Sequence, residues 1–597
     1  MIRPQTNACR RAEDLSGLWQ IRLDADDAGL RRGWQHDIAI GGRDDVHSIA
    51  VPGSWNEQLA EVGAMNHIGS AWYQHDFYLP ALAAGEVAEL RFGSADYFAE
   101  VWLNGDHSGA SGAAMLPFTV PVASGPHPGG PVRLVVRVTN LLPVDGPTQR
   151  VTQADYIAEG RPRDEYLPAV RFDFFPYGGL NRPVHLVQRP AAGLSNYRVV
   201  TRVDGDAAHV AVTIAADGGT ACRVTLLDRG GQIEASGEAM LVDGRASVEL
   251  TVANPWLWSP DHPTLYALVV ELSDGDEVID RAEQRLGLRE ITVTGTQLLL
   301  NGEPLTLTGC GKHEDSPVHG RGLNLPQLAK DFQLLKWLGA NSVRTSHYPY
   351  AEEFLDLADM MGILVIDEVF SVNLDFRKVN AATFAAHQQA VSELIARDAN
   401  RTCVIAWSLA NEPGYLAESE YRSQSGAYWS ALFAHARALD PTRPLTHANV
   451  GYAGNDDPAF AEADLVMINR YHGWYSEPAQ LGRAAARLTA DLDAIAVHGK
   501  PILISEFGAD ALAGQHAIYP QLFTEEYQAD LIAAYWDVIT RHPACIGGHV
   551  WAFADFRTAQ HGRRVVHNLK GLFTRTREPK LAAWRVRQLW GGAERDE

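Results

Sequence analysis

The pattern of apolar and polar positions changes texture twice along the chain. Up to residue 190, alternating stretches such as AELRFGSADYFAEVWLNG and PVRLVVRVTN are broken by turn dipeptides and interleaved with Gly, Pro and aromatic residues. A period of two with frequent turns predicts antiparallel strands, here a jelly-roll-like β-sandwich over residues 1–190. Over 191–288 the alternation continues in shorter, more polar runs: YRVVTRV, HVAVTIAA, CRVTLLD, ASVELTV and TLYALVVEL. Turn signals about 8–12 residues apart suit a small immunoglobulin-like β-sandwich.

From 289 to 597 short apolar runs alternate with amphipathic helical patterns, the signature of repeated βα units. The strand candidates are LTLTGCGKH, NSVRTSHYP, LVIDEV, VIAWSLANE, LTHANV, LVMINRYHG, PILISEFG and GGHVWAFAD. Between them lie helical stretches such as LPQLAKDFQLLKWLG and EEYQADLIAAYWDVITRH. Eight such units predict a C-terminal (β/α)8 TIM barrel. The rival, an open doubly wound sheet, is disfavoured because no G-x-G-x-x-G follows any of these strands.

Composition narrows the function. Apolar residues make up 46% and charged residues 21% of the 597, an ordinary soluble balance, and no apolar run approaches the ~20 residues of a membrane span. The net charge of −22 repels phosphate backbones and anionic lipid, so neither nucleic acid nor membrane is expected as a partner. An anionic small substrate would need a local basic pocket. Cys9, Cys222, Cys310, Cys403 and Cys545 are odd in number and scattered, which fits neither a disulfide framework nor a zinc site. The opening MIRPQTNACRRAEDLSGLW has no apolar segment of the secretory type, and cytoplasmic residence is expected.

In a barrel of this kind catalytic groups sit at the C-terminal ends of the strands. The polar residues there are His313, Arg344, His347, Asp367, Glu368, Asn411, Glu412, Asn469, Tyr471, Tyr475, Glu506, Trp551 and Asp555. Aromatic rings and amides around several carboxylates suit a sugar, whose ring faces stack and whose hydroxyls require paired donors and acceptors. Glu412 and Glu506 end the fourth and seventh strands, across the barrel mouth from each other. A retaining glycosidase needs one carboxylate as nucleophile and one protonated carboxyl as acid, about 5–5.5 Å apart. The cluster His313-Glu314-Asp315 is a poor metal site, because neighbours on one short loop rarely converge on one ion. From Arg557 to Lys580 the sign of charge reverses: Arg557, Arg563, Arg564, Lys570, Arg575, Arg577 and Lys580 face the single acid Glu578. Most of these are expected to form a solvated strip, with Lys570 and Arg564 reserved for a ligand.

The run DANRTCVIAWSLANEP resembles the acid/base signature of glycoside hydrolase family 2, and ILISEFGAD its nucleophile segment. VPGSWN and SAWYQHDFYLP resemble that family's sugar-binding sandwich, and the order of two sandwiches and a barrel is also the family's. The likeness is closest to its β-glucuronidase branch, through GKHEDSPVHGRG, GANSVRTSHYPYAEEFLD, INRYHGWY, VWAFADF and NLKGLFTRTREPK. It implies double displacement, with Glu506 as nucleophile and Glu412 as acid/base. Asn568 and Lys570 would recognise the uronate carboxylate. Asp173 in RFDFFPYGG, with His313, Asn411, Asn469, Tyr471, Tyr475, Trp551 and Arg564, would complete the pocket, and Arg344 would support Glu506. The resemblance further implies a small-molecule or oligosaccharide β-glucuronide substrate, no cofactor or catalytic metal, and a homo-oligomer, dimer or tetramer. Two departures stand out: His472 and Ala552 replace the Tyr and Asn common in the family. The segment EVFSVNLDFRKVN is also too short to carry the extended loop of some bacterial members. The competing readings are a β-galacturonidase, a neutral-sugar β-galactosidase or β-mannosidase, and a non-catalytic carbohydrate-binding protein.

Overall fold

The computed structural model describes residues 2–122, 130–152, 154–155, 170–414, 419–559 and 564–591. The N-terminal part is a sandwich of two antiparallel sheets. One orders the strands Arg11–Asp14, Val184–Pro190, Glu86–Phe92 and Phe118–Val122. The other orders Val46–Val51, Gly17–Asp24, Ser70–Tyr78, Pro131–Thr139, Phe98–Leu103 and Asp106–Ala110. Alternation puts one set of side chains inward, so that Leu90, Val101, Val120, Leu134 and Val136 share one buried core with Trp19 and Tyr73.

The second unit packs three strands, Gly193–Asp204, Ala207–Asp217 and Arg245–Ala253, against four, Ile233–Met240, Ala221–Leu227, Tyr266–Asp274 and Glu277–Leu286. Its core of Val210, Val212, Ile214, Val224, Leu250 and Leu268 follows from the period of two.

A small antiparallel ribbon, Ile291–Thr294, Gln297–Leu300 and Glu303–Pro304, leads into a closed barrel of eight parallel strands. These are Leu307–Lys312, Ser342–Thr345, Leu364–Glu368, Val404–Asn411, Leu445–Asn449, Val466–Asn469, Ile502–Phe507 and Cys545–Val550. Their near-complete burial reflects helices outside and packed side chains inside. The helices start and stop on local signals. Asn324 caps Leu325–Leu338 by accepting from Gln327 N, and Gly339 ends it in the left-handed conformation. Asn380 and Thr383 form a capping box at the start of Ala381–Asp398. Among the described residues no helix is long and apolar enough to cross a membrane.

The first sandwich is locked to the barrel mouth. Asp96 holds Arg321 at 2.8 Å, Arg91 holds Glu352 at 2.8 Å, and Phe175 N donates to Arg557 O. These ties bring the segment that carries Asp173 over the strand ends.

Candidate active site

The fourth strand delivers Asn411 and then Glu412, whose φ of 50° is left-handed. Such a backbone is sparsely used by residues with a Cβ and persists where neighbours dictate it. Here Asn411 N donates to Ser371 O and Glu412 N to Ala448 O, and Pro413 keeps the preceding residue out of the right-handed helical region. The turn aims the Glu412 carboxyl at the sixth strand, where Asn469 Nδ2 donates to it at 2.9 Å. Asn469 is in turn oriented by Ser505, whose hydroxyl donates to its Oδ1 at 2.7 Å.

Glu506 ends the seventh strand beside Asn469 in register. One carboxylate oxygen takes the Arg344 guanidinium and the other takes the Tyr471 hydroxyl at 2.6 Å. Arg344 is fully buried and shared, because its other terminal amine lies 2.8 and 2.9 Å from the two oxygens of Glu368. Glu368 also contacts His347 Nδ1 at 3.0 Å and Ser408 Oγ at 2.7 Å. Burial opposes ionisation of Glu368, but the Arg344 charge and these hydrogen bonds outweigh it and hold the carboxyl below its ordinary range.

The two candidate glutamates sit in opposite surroundings. Burial first, and then the charge of Glu506, pushes the Glu412 carboxyl up to about 7. Glu506 has a guanidinium and a phenol aimed at it, whereas Glu412 has one neutral amide. This is the separation a site with one acid and one nucleophile requires. Tyr471 itself is pushed well above the ordinary phenol value, by burial and by the Glu506 charge, and stays a donor.

A second cluster lies alongside. Lys570 Nζ, buried, contacts Asp510 Oδ2 at 2.5 Å and Tyr475 Oη at 3.1 Å. It lies over the rings of Tyr475, Trp474 and Tyr471, at 4.8, 5.1 and 5.9 Å from their centroids. Arg564 forks onto Asp173 at 2.9 and 3.0 Å, reaches Asp510 at 3.3 Å and donates to Tyr475 Oη at 2.9 Å. Asn568 donates to Asp173 at 2.6 Å, and its own Oδ1 accepts from Lys570 N. Burial opposes ionisation of Asp173, yet Arg564 and Asn568 keep its carboxyl below the ordinary value. Tyr471 joins the two clusters: its ring faces Lys570 while its hydroxyl sits on Glu506.

His313 packs edge-on against Trp551 and bonds Tyr348 through Nδ1, while its Nε2 is buried with no partner among the described residues. Burial, reinforced by the neighbouring cations and His347, drives its pKa well below the ordinary value, so it is neutral. Trp551 stacks on His347, with ring centroids 5.0 Å apart. Glu412, Glu506, Arg344, Asn411, Asn469, Tyr471, His313, Trp551, Asp173, Arg564, Asn568 and Lys570 therefore lie in this one region, with Tyr475 at its exposed rim, whereas Asp367 turns to Thr345 and Asp555 to Lys580.

The basic segment is not a solvated strip. Arg575 pairs with Glu57 and Asp315, Arg557 with Glu57, Arg577 with Asp331 and Lys580 with Asp555. Except for Asp555, which flanks the segment, the acids come from distant parts of the chain, which is why the local sign was misleading; Arg563 lies outside the described residues. His313, Glu314 and Asp315 diverge, toward Tyr348, Arg182 and Arg575 respectively. His472 bonds Asp491 at 2.9 Å and Ser476 at 2.7 Å, and so anchors its loop. The sequence reasoning missed Asp510, the counter-ion of both Lys570 and Arg564. Its signal was an acid four residues beyond Glu506 in a chain that also presents an isolated basic segment.

Residues 291–594 match the family described as glycosyl hydrolases family 2, TIM barrel domain, and residues 192–289 match glycosyl hydrolases family 2. The chain belongs to glycosyl hydrolase family 2. Among family 2 relatives, the β-glucuronidase of Paenibacillus borealis is 38% identical, with 99% of this chain and 98% of that one covered. That of Canis lupus familiaris is 35% identical over 98% of this chain and 92% of its own. The crystal structure of Ruminococcus gnavus β-glucuronidase superposes with a TM-score of 0.90 at 32% identity, covering 99% of both chains. The same enzyme in complex with D-glucuronic acid gives 0.89 at 31% identity, again over 99% of both. Family 2 membership accounts for the order of sandwich, sandwich and barrel.

Proposed function

We propose that this chain is a retaining exo-β-glucuronidase, hydrolysing terminal β-D-glucuronides through a covalent glycosyl-enzyme. Glu506 attacks the anomeric carbon while Glu412 gives its proton to the departing oxygen; water then releases the sugar with Glu412 as base. Bond formation to Glu506 removes the negative charge that helps raise Glu412, and so favours the switch from acid to base. Asn411 and Asn469 are assigned to sugar hydroxyls, as are Asp173 and Tyr475 at the rim, with His313 and Trp551 forming the wall. Lys570, Asn568 and Arg564 bind the uronate carboxylate, and Arg344 supports Glu506.

One observation carries this reading. Tyr471 places a caged lysine on one side and the Glu506 carboxylate on the other, so a sugar with its anomeric carbon at Glu506 has a cation within reach of its far end. Asp510 pairs with that lysine, and a bound uronate would share it. The relatives from Paenibacillus borealis and Canis lupus familiaris, matched over 98% and 92% of their lengths, are β-glucuronidases. The division into units at 1–190, 191–288 and 289–597, residence in the cytoplasm and assembly into a dimer or tetramer belong to the same proposal; the five free cysteines agree with a reducing compartment.

The test is a panel of epimeric p-nitrophenyl β-glycosides. Wild type should prefer the glucuronide, and Glu506→Gln should abolish turnover. A buried charge-assisted contact is worth about 1.5–3 kcal/mol, so Lys570→Ala should cost the glucuronide about two orders of magnitude in kcat/KM, on the scale where 1.4 kcal/mol is tenfold. The neutral glucoside should change little. A glucuronide preference that survives Lys570→Ala within about threefold, below the range of such contacts, would overturn the uronate assignment.

A further inference from the structure

At the opposite end of the barrel, under the starts of the fourth and fifth strands, the second sandwich leaves a cavity of about 260 Å³. Its walls come from 199–202 of the sandwich, the connecting segment 286–292, and the barrel turns 399–402 and 441–443. The seam around it is closed by direct bonds, Val199 N to Asn400 Oδ1 at 2.9 Å and Gly287 N to Thr402 Oγ1 at 2.8 Å.

The charges on these walls do not balance. Arg289 is buried and donates to two carbonyls, Thr402 O at 3.0 Å and Val404 O at 2.6 Å. Among the described residues it has no carboxylate partner, and its remaining terminal amine has no protein acceptor. Arg443 donates to the same Val404 O at 2.7 Å, so two guanidinium groups converge on one oxygen. Asp440, whose charge acts on Arg289, is already engaged: Arg443 and Arg198 each hold it at 2.9 Å and Trp407 Nε1 donates to it at 2.9 Å. Arg401, in the same wall, is engaged by Asp356 at 2.6 Å. Arg202 and Glu290 also line the cavity, and neither forms an ion pair among the described residues.

Burying a guanidinium without a counter-ion is costly. Burial and the Arg443 charge bring the Arg289 pKa down to about 9, which leaves it charged at neutral pH. A cavity open to solvent and roomy enough for a polyatomic ion, with a donor left over on a buried cation, is the geometry of an anion site. We propose that this cavity binds a small tetrahedral oxyanion of the phosphate or sulfate class, held chiefly by Arg289 and reached from the sandwich side by Arg202, and that the bound anion fastens the second sandwich to the barrel floor. The planar fork of arginine matches such oxygens.

A ligand that binds only the folded chain raises the unfolding midpoint as its concentration rises. Inorganic phosphate, titrated into the full-length protein against potassium chloride at constant ionic strength, should raise the midpoint progressively. The same rise should occur in Lys570→Ala, which excludes binding at the catalytic mouth as its cause. In Arg289→Met the response should vanish while kcat/KM on a β-glucuronide stays within about twofold of wild type, since the cavity faces away from the mouth. Should Arg289→Met fail to fold, Arg202→Met, at an exposed position, should weaken phosphate roughly tenfold by calorimetry, the loss of one charge-assisted contact. Equal midpoints in phosphate and chloride, or a phosphate response unaltered by these substitutions, would overturn the proposal.

Discussion

A carboxyl at the end of the fourth strand sets the pH behaviour. Because the Glu412 pKa is raised to about 7, the acid form needed for the first step is lost above that pH, and kcat/KM should fall about tenfold per pH unit on the alkaline side. The same shift affects stability. The folded state holds this proton more tightly than the unfolded chain, so the contribution is full below about pH 4.3, the unperturbed value, and is lost as pH rises through 7. Glu412→Gln removes that dependence, so its unfolding midpoint should gain on wild type between pH 5 and pH 8; a constant offset would mean Glu412 is already ionised at pH 5. Glu412 and Glu506 were legible from the sequence because barrel strands announce their own ends. Their unequal environments could be anticipated only through the resemblance and the chemistry it implies, because the donors that distinguish them, Arg344, Tyr471 and Asn469, come from the second strand, the sixth strand and the loop that follows it.

The stretch after the eighth strand shows what an element gains from partners remote in sequence. Its sign reversal was visible in the sequence, and Lys570 and Asn568 stood out by resemblance. Their neighbours were misjudged, since sequence displays the charges of a segment but not the acids that fold against them. Arg577 reaches Asp331 at 2.8 Å with both side chains buried, and Lys312 shares that acid at 3.2 Å. Removing one member of a buried pair commonly costs about 3–5 kcal/mol; because Lys312 stays, Arg577→Met should cost near the lower end, about 3 kcal/mol, in urea unfolding. A loss under about 1 kcal/mol, typical of exposed pairs, would return Arg577 to the surface. The strands and helices themselves were readable for a simpler reason: each carries its own period and its own caps.

For the molecule as a whole, the barrel supplies the carboxylates and the first sandwich supplies Asp173. The order of the units follows from texture alone, whereas the crossing of Asp173 to Arg564 and Asn568 depends on how the units dock. Three charge-assisted bonds, two from Arg564 and one from Asn568, of about 1.5–3 kcal/mol each, hang on that carboxylate. Asp173→Ala should therefore lower kcat/KM for a β-glucuronide at least tenfold, with far-ultraviolet circular dichroism unchanged; wild-type turnover would show that the sandwich contributes only scaffolding.

That crossing also constrains biosynthesis. Asp173 and Arg564 are 391 residues apart, and domains generally fold in the order they leave the ribosome, at about 5–20 residues per second. The first sandwich can collapse early on its own core, yet its aspartate then waits at least about 20 seconds for a guanidinium not yet synthesised. A nascent chain stalled short of residue 564 would thus carry both glutamates and still lack the cross-domain pairing. Emergence of the segment around Arg564, after all eight barrel strands, is the step at which this cross-domain pairing can form.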